Sequence, residues 1–183
     1  MHGMTKHIRD AFDITDTDKG YYHQYEYMYG FIFANFIPNS IFEIGVKDGA
    51  SIWTWQILFP SAKVDGMDIK IRPVKTKKDF KYIIADSTTY DTKEFPNYDI
   101  IIDDGSHLPE DQIKTFLNFK DKFNYCYIIE DINFTKDNDI TSDKPLKQIV
   151  DVVQKEGYKG VFSFISYNKR KNTRALVIMH PNF

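Results

Sequence analysis

Five short apolar runs, each closing on an acidic or small residue, constrain this chain more than any other feature of its sequence. They occupy residues 41–45, 64–68, 82–86, 98–103 and 125–130. Their apolar character is continuous rather than alternating, which is what a strand covered on both faces requires. Between them lie stretches with helical spacing. Residues 50–58 follow a glycine turn, and residues 109–122 open with proline in the first turn and set Ile113, Phe116, Leu117 and Phe119 towards one side. Residues 144–156 repeat Leu146, Ile149, Val150 and Val153 at helical spacing and stop at Gly157. Strand and helix alternate, so the pattern predicts a doubly wound α/β domain.

The two ends differ from the middle. Residues 161–167 and 174–180 are β-rich and joined by Asn168-Lys169-Arg170-Lys171-Asn172, which predicts an antiparallel closing hairpin. The first forty residues concentrate Tyr21, Tyr22, Tyr25, Tyr27, Tyr29 and Phe31, predicting a helix packed outside the sheet or over its ligand edge. With 183 residues and no repeat or linker, the chain reads as one domain, residues 1–36 forming an N-terminal helical or lid segment and residues 37–183 the core.

Composition excludes several classes. Apolar residues at 42% and charged residues at 27% fit a globular protein. A net charge of -2 leaves no basic surplus for neutralising phosphates, so no nucleic-acid partner is expected. The basic run Lys75-Thr76-Lys77-Lys78 reads as a solvated loop. Cys126 is the single cysteine, compatible with a reducing cytoplasm. No apolar run approaches the ~20 residues of a membrane span, and residues 1–10 lack the apolar core of a signal peptide. A cytoplasmic protein without a membrane partner is the expectation.

In open parallel sheets, ligands bind beyond the carboxyl ends of the strands. Here those ends carry Glu43 and Gly45, Asp68, Asp86, Asp103 with Asp104, and Glu130 with Asp131. Gathering so many carboxylates is costly unless cations or hydrogen-bond donors meet them. In the first turn, Gly45 and Gly49 let the backbone bend sharply and approach a ligand. Their G-x-x-x-G spacing is not that of the dinucleotide fingerprint. Asp68 follows Glu43 by 25 residues, near where an acidic residue binds ribose hydroxyls. A nucleoside cofactor without pyrophosphate suits such a turn.

Four ordered motifs then carry a resemblance: Glu43-x-Gly45-x-x-x-Gly49-Ala50-Ser51, Gly66-Met67-Asp68-Ile69, Ile102-Asp103-Asp104-Gly105-Ser106-His107 and Ile128-Ile129-Glu130-Asp131. Together they resemble class I S-adenosylmethionine-dependent methyltransferases, within them the metal-dependent sugar O-methyltransferases and the cephalosporin hydroxylase-like group. Thr17-Asp18-Lys19-Gly20, with His23 and Tyr25, is similar to a segment preceding the domain in that group. The resemblance spans about residues 15–135. It implies a Rossmann-like doubly wound sheet of about seven strands, mostly parallel with an antiparallel C-terminal hairpin. It also implies S-adenosylmethionine held by Glu43, Gly45, Gly49, Ser51, Asp68, Asp86 and Asp103, with Asp68 on the ribose and Asp86 near the adenine. It implies Mg (or Mn) on Asp104, Glu130 and Asp131, with His107 as base.

Read physically, Asp104, Glu130 and Asp131 lie at the ends of adjacent strands, ~5 Å apart if paired. Three such carboxylates repel unless a hard divalent cation joins them, and all-oxygen ligation favours Mg, Mn or Ca over Zn. Asp103 and Asp104 can exchange roles as the direct ligand. On the roles the resemblance implies, metal coordination would lower a hydroxyl's pKa while neutral His107 takes its proton. The expected acceptor is a sugar or glycoside hydroxyl, a catechol-like acceptor being the second enzyme reading and a non-catalytic nucleotide- or glycan-binding module the third. Residues 1–36, residues 134–145 or a second subunit of a homo-oligomer would enclose that acceptor. Against this stand plainer readings: Asp104-Gly105-Ser106 is an ordinary turn sequence, His23 reads as structural or as a lid residue, and Trp53 and Trp55 as packing.

Overall fold

The computed structural model describes residues 2–76, 78–132, 143–167 and 172–183. Seven strands form one sheet: β1 (Ser40–Ile44), β2 (Lys63–Asp68), β3 (Tyr82–Ile84), β4 (Tyr98–Asp103), β5 (Phe123–Ile129), β6 (Val161–Tyr167) and β7 (Asn172–Met179). Their order is β3-β2-β1-β4-β5-β7-β6. The first five strands pair in parallel, and β7 runs antiparallel to both β5 and β6. This is the expected mostly parallel sheet with a closing hairpin; the hairpin's connecting residues 168–171 lie outside the described residues.

Alternate residues of each continuous apolar run feed two separate cores. Ile41, Ile100, Ile102, Cys126, Ile128, Ala175 and Val177 face one side, and Phe42, Ile44, Ile101, Tyr127, Ile129, Leu176 and Ile178 face the other. That is why the runs do not alternate in sequence: both faces are dry. Helices α1 (His2–Thr15), α3 (Glu26–Asn35) and α4 (Ala50–Leu58) bring Phe12, Tyr29, Phe33 and Trp55 to the first core. Helices α5 (Pro109–Phe119) and α6 (Lys144–Lys155) bring Phe116, Phe119, Ile149 and Val153 to the second.

Two expectations change. The helix-strand alternation lapses after β2, because residues 69–81 and 85–97 contain no helix among the described residues. Pro73 and Pro96 interrupt these stretches, and in the second Asp86 and Asp91 form turns by accepting the backbone N–H groups of Thr88 and Lys93, both at 2.9 Å. The N-terminal aromatic segment, expected as one helix, is three. α1 and α3 pack on the first face, while the single turn α2 (Asp18–Tyr21) crosses the carboxyl edge of the sheet. Its entry and exit, Asp16 and Gln24, both adopt left-handed backbone at φ 55°.

Trp55 joins the core to the sheet edge. Its ring is 0% exposed and lies 4.8 Å from that of Tyr29, and its indole N–H donates to Glu43 Oε2 at 3.0 Å. Replacing Trp55 with Phe keeps an aromatic ring but leaves a buried carboxylate oxygen without its donor. We expect this variant to lose about 2–3 kcal/mol of unfolding free energy in urea titration; a loss under about 0.5 kcal/mol would show that the indole hydrogen bond carries no weight.

Candidate functional site

A cavity of about 600 Å³ opens at the carboxyl ends of β1, β2, β3, β4 and β5. The strand order reverses between β1 and β4, which is where open α/β sheets form their ligand crevice. Gly45, Ser51, Asp68, Asp86, Asp104, His107, Glu130 and Asp131 all line it. Of the expected site residues, Glu43, Gly49 and Asp103 do not; they stand behind its wall.

Backbone shapes the half of the cavity nearest β1 and β2. Gly45 turns out of β1 at φ 94°, and a Cβ there would strike the backbone carbonyl of Asp104, so any side chain is excluded. The Gly45 and Val46 N–H groups donate to the Met67 carbonyl at 2.8 and 3.2 Å. Lys47, left-handed at φ 52°, directs its N–H onto Asp68 Oδ2 at 2.8 Å, and Lys70 N–H reaches Oδ1 at 2.9 Å. Gly49, at φ 76°, then starts α4. Asp68 is thereby clamped with one lone pair on each oxygen committed and the others left over. Asp86 is exposed and caps its own turn through Thr88.

Side chains shape the other half. Lys19, from α2, is 1% exposed, and its Nζ lies 2.6 Å from Glu130 Oε2, 2.7 Å from Asp104 Oδ2 and 3.3 Å from Glu43 Oε1. Burial alone would depress this ammonium, but Asp104, Glu130 and Glu43 outweigh it and lift its pKa well above the usual lysine value. Burial pushes the Glu130 carboxyl well above the carboxylate range against the pull of Lys19. Asp104 feels burial too, yet Lys19 and the bond with His107 hold it below the usual value. The other Glu130 oxygen accepts the Tyr29 hydroxyl. Asp131, left-handed at φ 53°, receives the Tyr25 hydroxyl on Oδ1 at 2.8 Å and donates its own N–H to the Tyr25 hydroxyl oxygen at 3.1 Å. His23 stacks on Tyr25 and sets Nδ1 3.0 Å from Asp131 Oδ1.

His107 completes this half. It lies in the short loop between β4 and α5, where the Ser106 hydroxyl donates to Asp111 Oδ2 at 2.9 Å. Its Nε2 is 3.4 Å from Asp104 Oδ1 and 3.9 Å from Asp131 Oδ2, and about a third of the side chain is open to solvent, at 37%. One ligand atom from each of Asp104, His107 and Asp131 falls within 4.8 Å of the others, a spacing that accommodates a cation. Thus Asp104 Oδ1 and Asp131 Oδ2 face His107, while Glu130 faces Lys19 and Tyr29.

Lys19, Tyr25 and Tyr29 are the participants that the motif reading missed as a unit. The demand of clustered carboxylates for a cation was the available signal, and Lys19 stood in a segment already singled out. Residues 133–142, most of the stretch expected to enclose an acceptor, lie outside the described residues. The N-terminal segment does reach the cavity, through Asp16, Thr17, Asp18, Lys19 and His23.

No family model matches the chain. No curated protein matches it in sequence. Solved structures do match. The MycE methyltransferase from the mycinamycin biosynthetic pathway, in complex with Mg and SAH, superposes with a TM-score of 0.69 at 20% identity, covering 94% of this chain and 54% of that one. The chain has the fold of class I S-adenosylmethionine-dependent methyltransferases. The plantazolicin methyltransferase BpumL in complex with SAH gives a TM-score of 0.63 at 14% identity, covering 97% of this chain and 86% of that one. The O-methyltransferase TomG from Streptomyces achromogenes, in complex with SAM, gives 0.54 at 13%, covering 78% and 73%. This chain spans about half the length of the mycinamycin enzyme, at 54%. Among the described residues, no helix is long and apolar enough to cross a membrane.

Asp103 gives the site a measurable pH signature. Its carboxyl is 1% exposed on the face of β4 that meets Tyr127, and burial raises its pKa from 3.8 to about 7. The folded chain therefore holds a proton that the unfolded chain has released, so this residue's contribution to stability falls as pH rises between roughly 4 and 7 and is flat above. Asp103→Asn mimics the protonated form. We expect it to be more stable than the wild type at pH 8, by up to a few kcal/mol, with the difference closing towards pH 4 in chemical denaturation. A difference independent of pH would mean that Asp103 is ionised throughout.

Proposed function

We propose that this chain is an S-adenosylmethionine-dependent O-methyltransferase that transfers the methyl group to a hydroxyl of a sugar or glycoside. One observation carries the reading: a single cavity has a backbone-shaped half around Gly45 and Asp68 and a titratable half around His107. The first half suits the cofactor. Its glycine turn excludes a side chain, and Asp68 keeps acceptor capacity for ribose hydroxyls. Asp86 would stand near the adenine and Ser51 on the amino-acid side, while Glu43, Gly49 and Asp103 would support this wall from behind. A volume of about 600 Å³ lies within the range of small-ligand sites.

The second half suits a hydroxyl acceptor. When bound, S-adenosylmethionine supplies an electrophilic methyl group, and a divalent ion lowers the pKa of a coordinated hydroxyl. Asp104 and Asp131 would hold Mg or Mn through the oxygens that face His107, and Glu130 would join them on release from Lys19. His107 would accept the hydroxyl proton at Nδ1, with Nε2, 3.4 Å from Asp104 Oδ1, orienting the ring. Tyr25 and His23 keep Asp131 in its left-handed conformation, so that its second oxygen stays turned towards His107.

Calorimetric titration with S-adenosylhomocysteine tests the cofactor half. Micromolar binding that survives EDTA is expected, and Asp68→Ala should weaken it by about 10- to 100-fold. No binding with or without Mg would remove the methyltransferase reading and favour a binding module. For the titratable half, His107→Ala should reduce turnover by about 10²–10⁴-fold while leaving S-adenosylhomocysteine affinity within a few-fold. Full activity in that variant would sink the base assignment. Turnover of catechols but not of glycosides would move the acceptor to the second class.

A further inference from the structure

Lys19 occupies the place for which the carboxylates alone call for a divalent ion. Its ammonium is bound by groups from three elements: Glu43 on β1, Asp104 just beyond β4 and Glu130 just beyond β5. Without it, the buried Glu43 and Glu130, 0% and 1% exposed, would face each other and the partly exposed Asp104 with no counter-charge between them. Like charges so placed either take up protons or recruit a cation. Lys19 is a cation covalently attached to the chain, so no dissociation entropy opposes its presence at the site. It is carried by a single turn between two left-handed residues, Asp16 and Gln24, and this turn is further held at the rim by Asp18 Oδ2, 3.4 Å from Lys47 Nζ.

We infer that Lys19 is a positioning residue that serves as a tethered monovalent cation, holding Asp104 and Glu130 in place without a divalent ion and weakening the binding of such an ion by competing for the same two carboxylates. Asp104 is the point of competition: its Oδ2 is committed to Lys19 and its Oδ1 faces His107. An ion entering beside His107 shares Asp104 with the ammonium and meets electrostatic repulsion from it at short range. Glu130 becomes a ligand only when Lys19 withdraws. The inference rests on the proposed function for the identity of the divalent ion, and not for the part Lys19 plays in holding the carboxylates.

The test uses the full chain stripped with EDTA, Mn²⁺ titration by calorimetry, and thermal unfolding with and without excess Mg²⁺. For the wild type, unfolding temperatures in EDTA and in Mg²⁺ should agree within about 2 °C. Lys19→Met should unfold at least about 5 °C lower in EDTA, recover most of that in Mg²⁺, and bind Mn²⁺ at least about tenfold more tightly than the wild type. The double variant Lys19→Met with Glu130→Gln removes the repulsion, so it should regain stability in EDTA and lose the gain in Mn²⁺ affinity. If Lys19→Met does not fold when stripped, refolding it in Mg²⁺ is the same test, and recovery of the wild-type circular dichroism supports the inference. Unchanged Mn²⁺ affinity in Lys19→Met, or no Mg²⁺ response of its stability or refolding, overturns it and leaves Lys19 as an ordinary buried ion pair. These readouts need neither cofactor nor turnover, so failure of S-adenosylhomocysteine binding, which would sink the methyltransferase reading, leaves them intact.

Discussion

The carboxyl edge of the sheet depends on one buried ammonium. Glu43, Asp104 and Glu130 come from three adjacent strands, and Lys19 meets all three within 3.3 Å. Each contact fixes more than itself. Glu43 anchors Trp55 and hence α4, Glu130 takes the Tyr29 hydroxyl from α3, and Asp104 orients His107. The N-terminal segment therefore belongs to the site rather than decorating it. The charge that makes the strand ends compatible with one another arrives from residues that precede the first strand.

The sheet was legible because its signal is local. Continuous apolar runs are what two dry faces demand, and the alternate residues of those runs did divide between two cores. The closing hairpin was legible for the same reason. The connections after β2 were not, since a general rule of helix-strand alternation was applied where proline and aspartate turns decide the local geometry. In the site, the acidic strand ends could be read directly, because a residue's place at a strand terminus follows from the strand. The direction of each side chain could not. Glu43 and Asp103 sit at the same sheet edge as Asp68, yet both turn into the protein, Glu43 to Trp55 and Asp103 to Tyr127. Strand parity puts Glu43 on the face of Ile41 and Asp103 on that of Ile101, but both faces are buried, so parity alone does not tell which neighbour each meets. The pairing of Lys19 with residues 85 and 111 positions away was beyond any spacing argument.

Four backbone positions show how the edge is aimed. Gly45, Lys47, Gly49 and Asp131 all have positive φ, and each reverses the chain where it leaves or borders the cavity. Two are glycines, for which this conformation is free of strain, and two are not. Lys47 and Asp131 each cost about 1 kcal/mol or more in this region. What offsets that cost is visible in both cases: the Lys47 N–H is delivered to Asp68 and the Asp131 N–H to the Tyr25 hydroxyl. Strained positions over-determined by their surroundings are a common feature of functional sites.

The two halves of the cavity rest on different kinds of support. The Asp68 half is made of main-chain N–H groups and glycine geometry, which few substitutions alter without disturbing β1 and β2 themselves. The His107 half is made of side chains: Asp104, Glu130 and Asp131 from the strand ends and His107 from the loop after β4, held by Lys19, His23, Tyr25 and Tyr29 from the N-terminal segment. A cofactor shared by many reactions suits the first kind of support, and an acceptor peculiar to one reaction suits the second. If the proposed function holds, the residues of the N-terminal segment that reach the cavity, from Asp16 to His23, would contribute to acceptor specificity, with the Lys19 ammonium at the centre of that region.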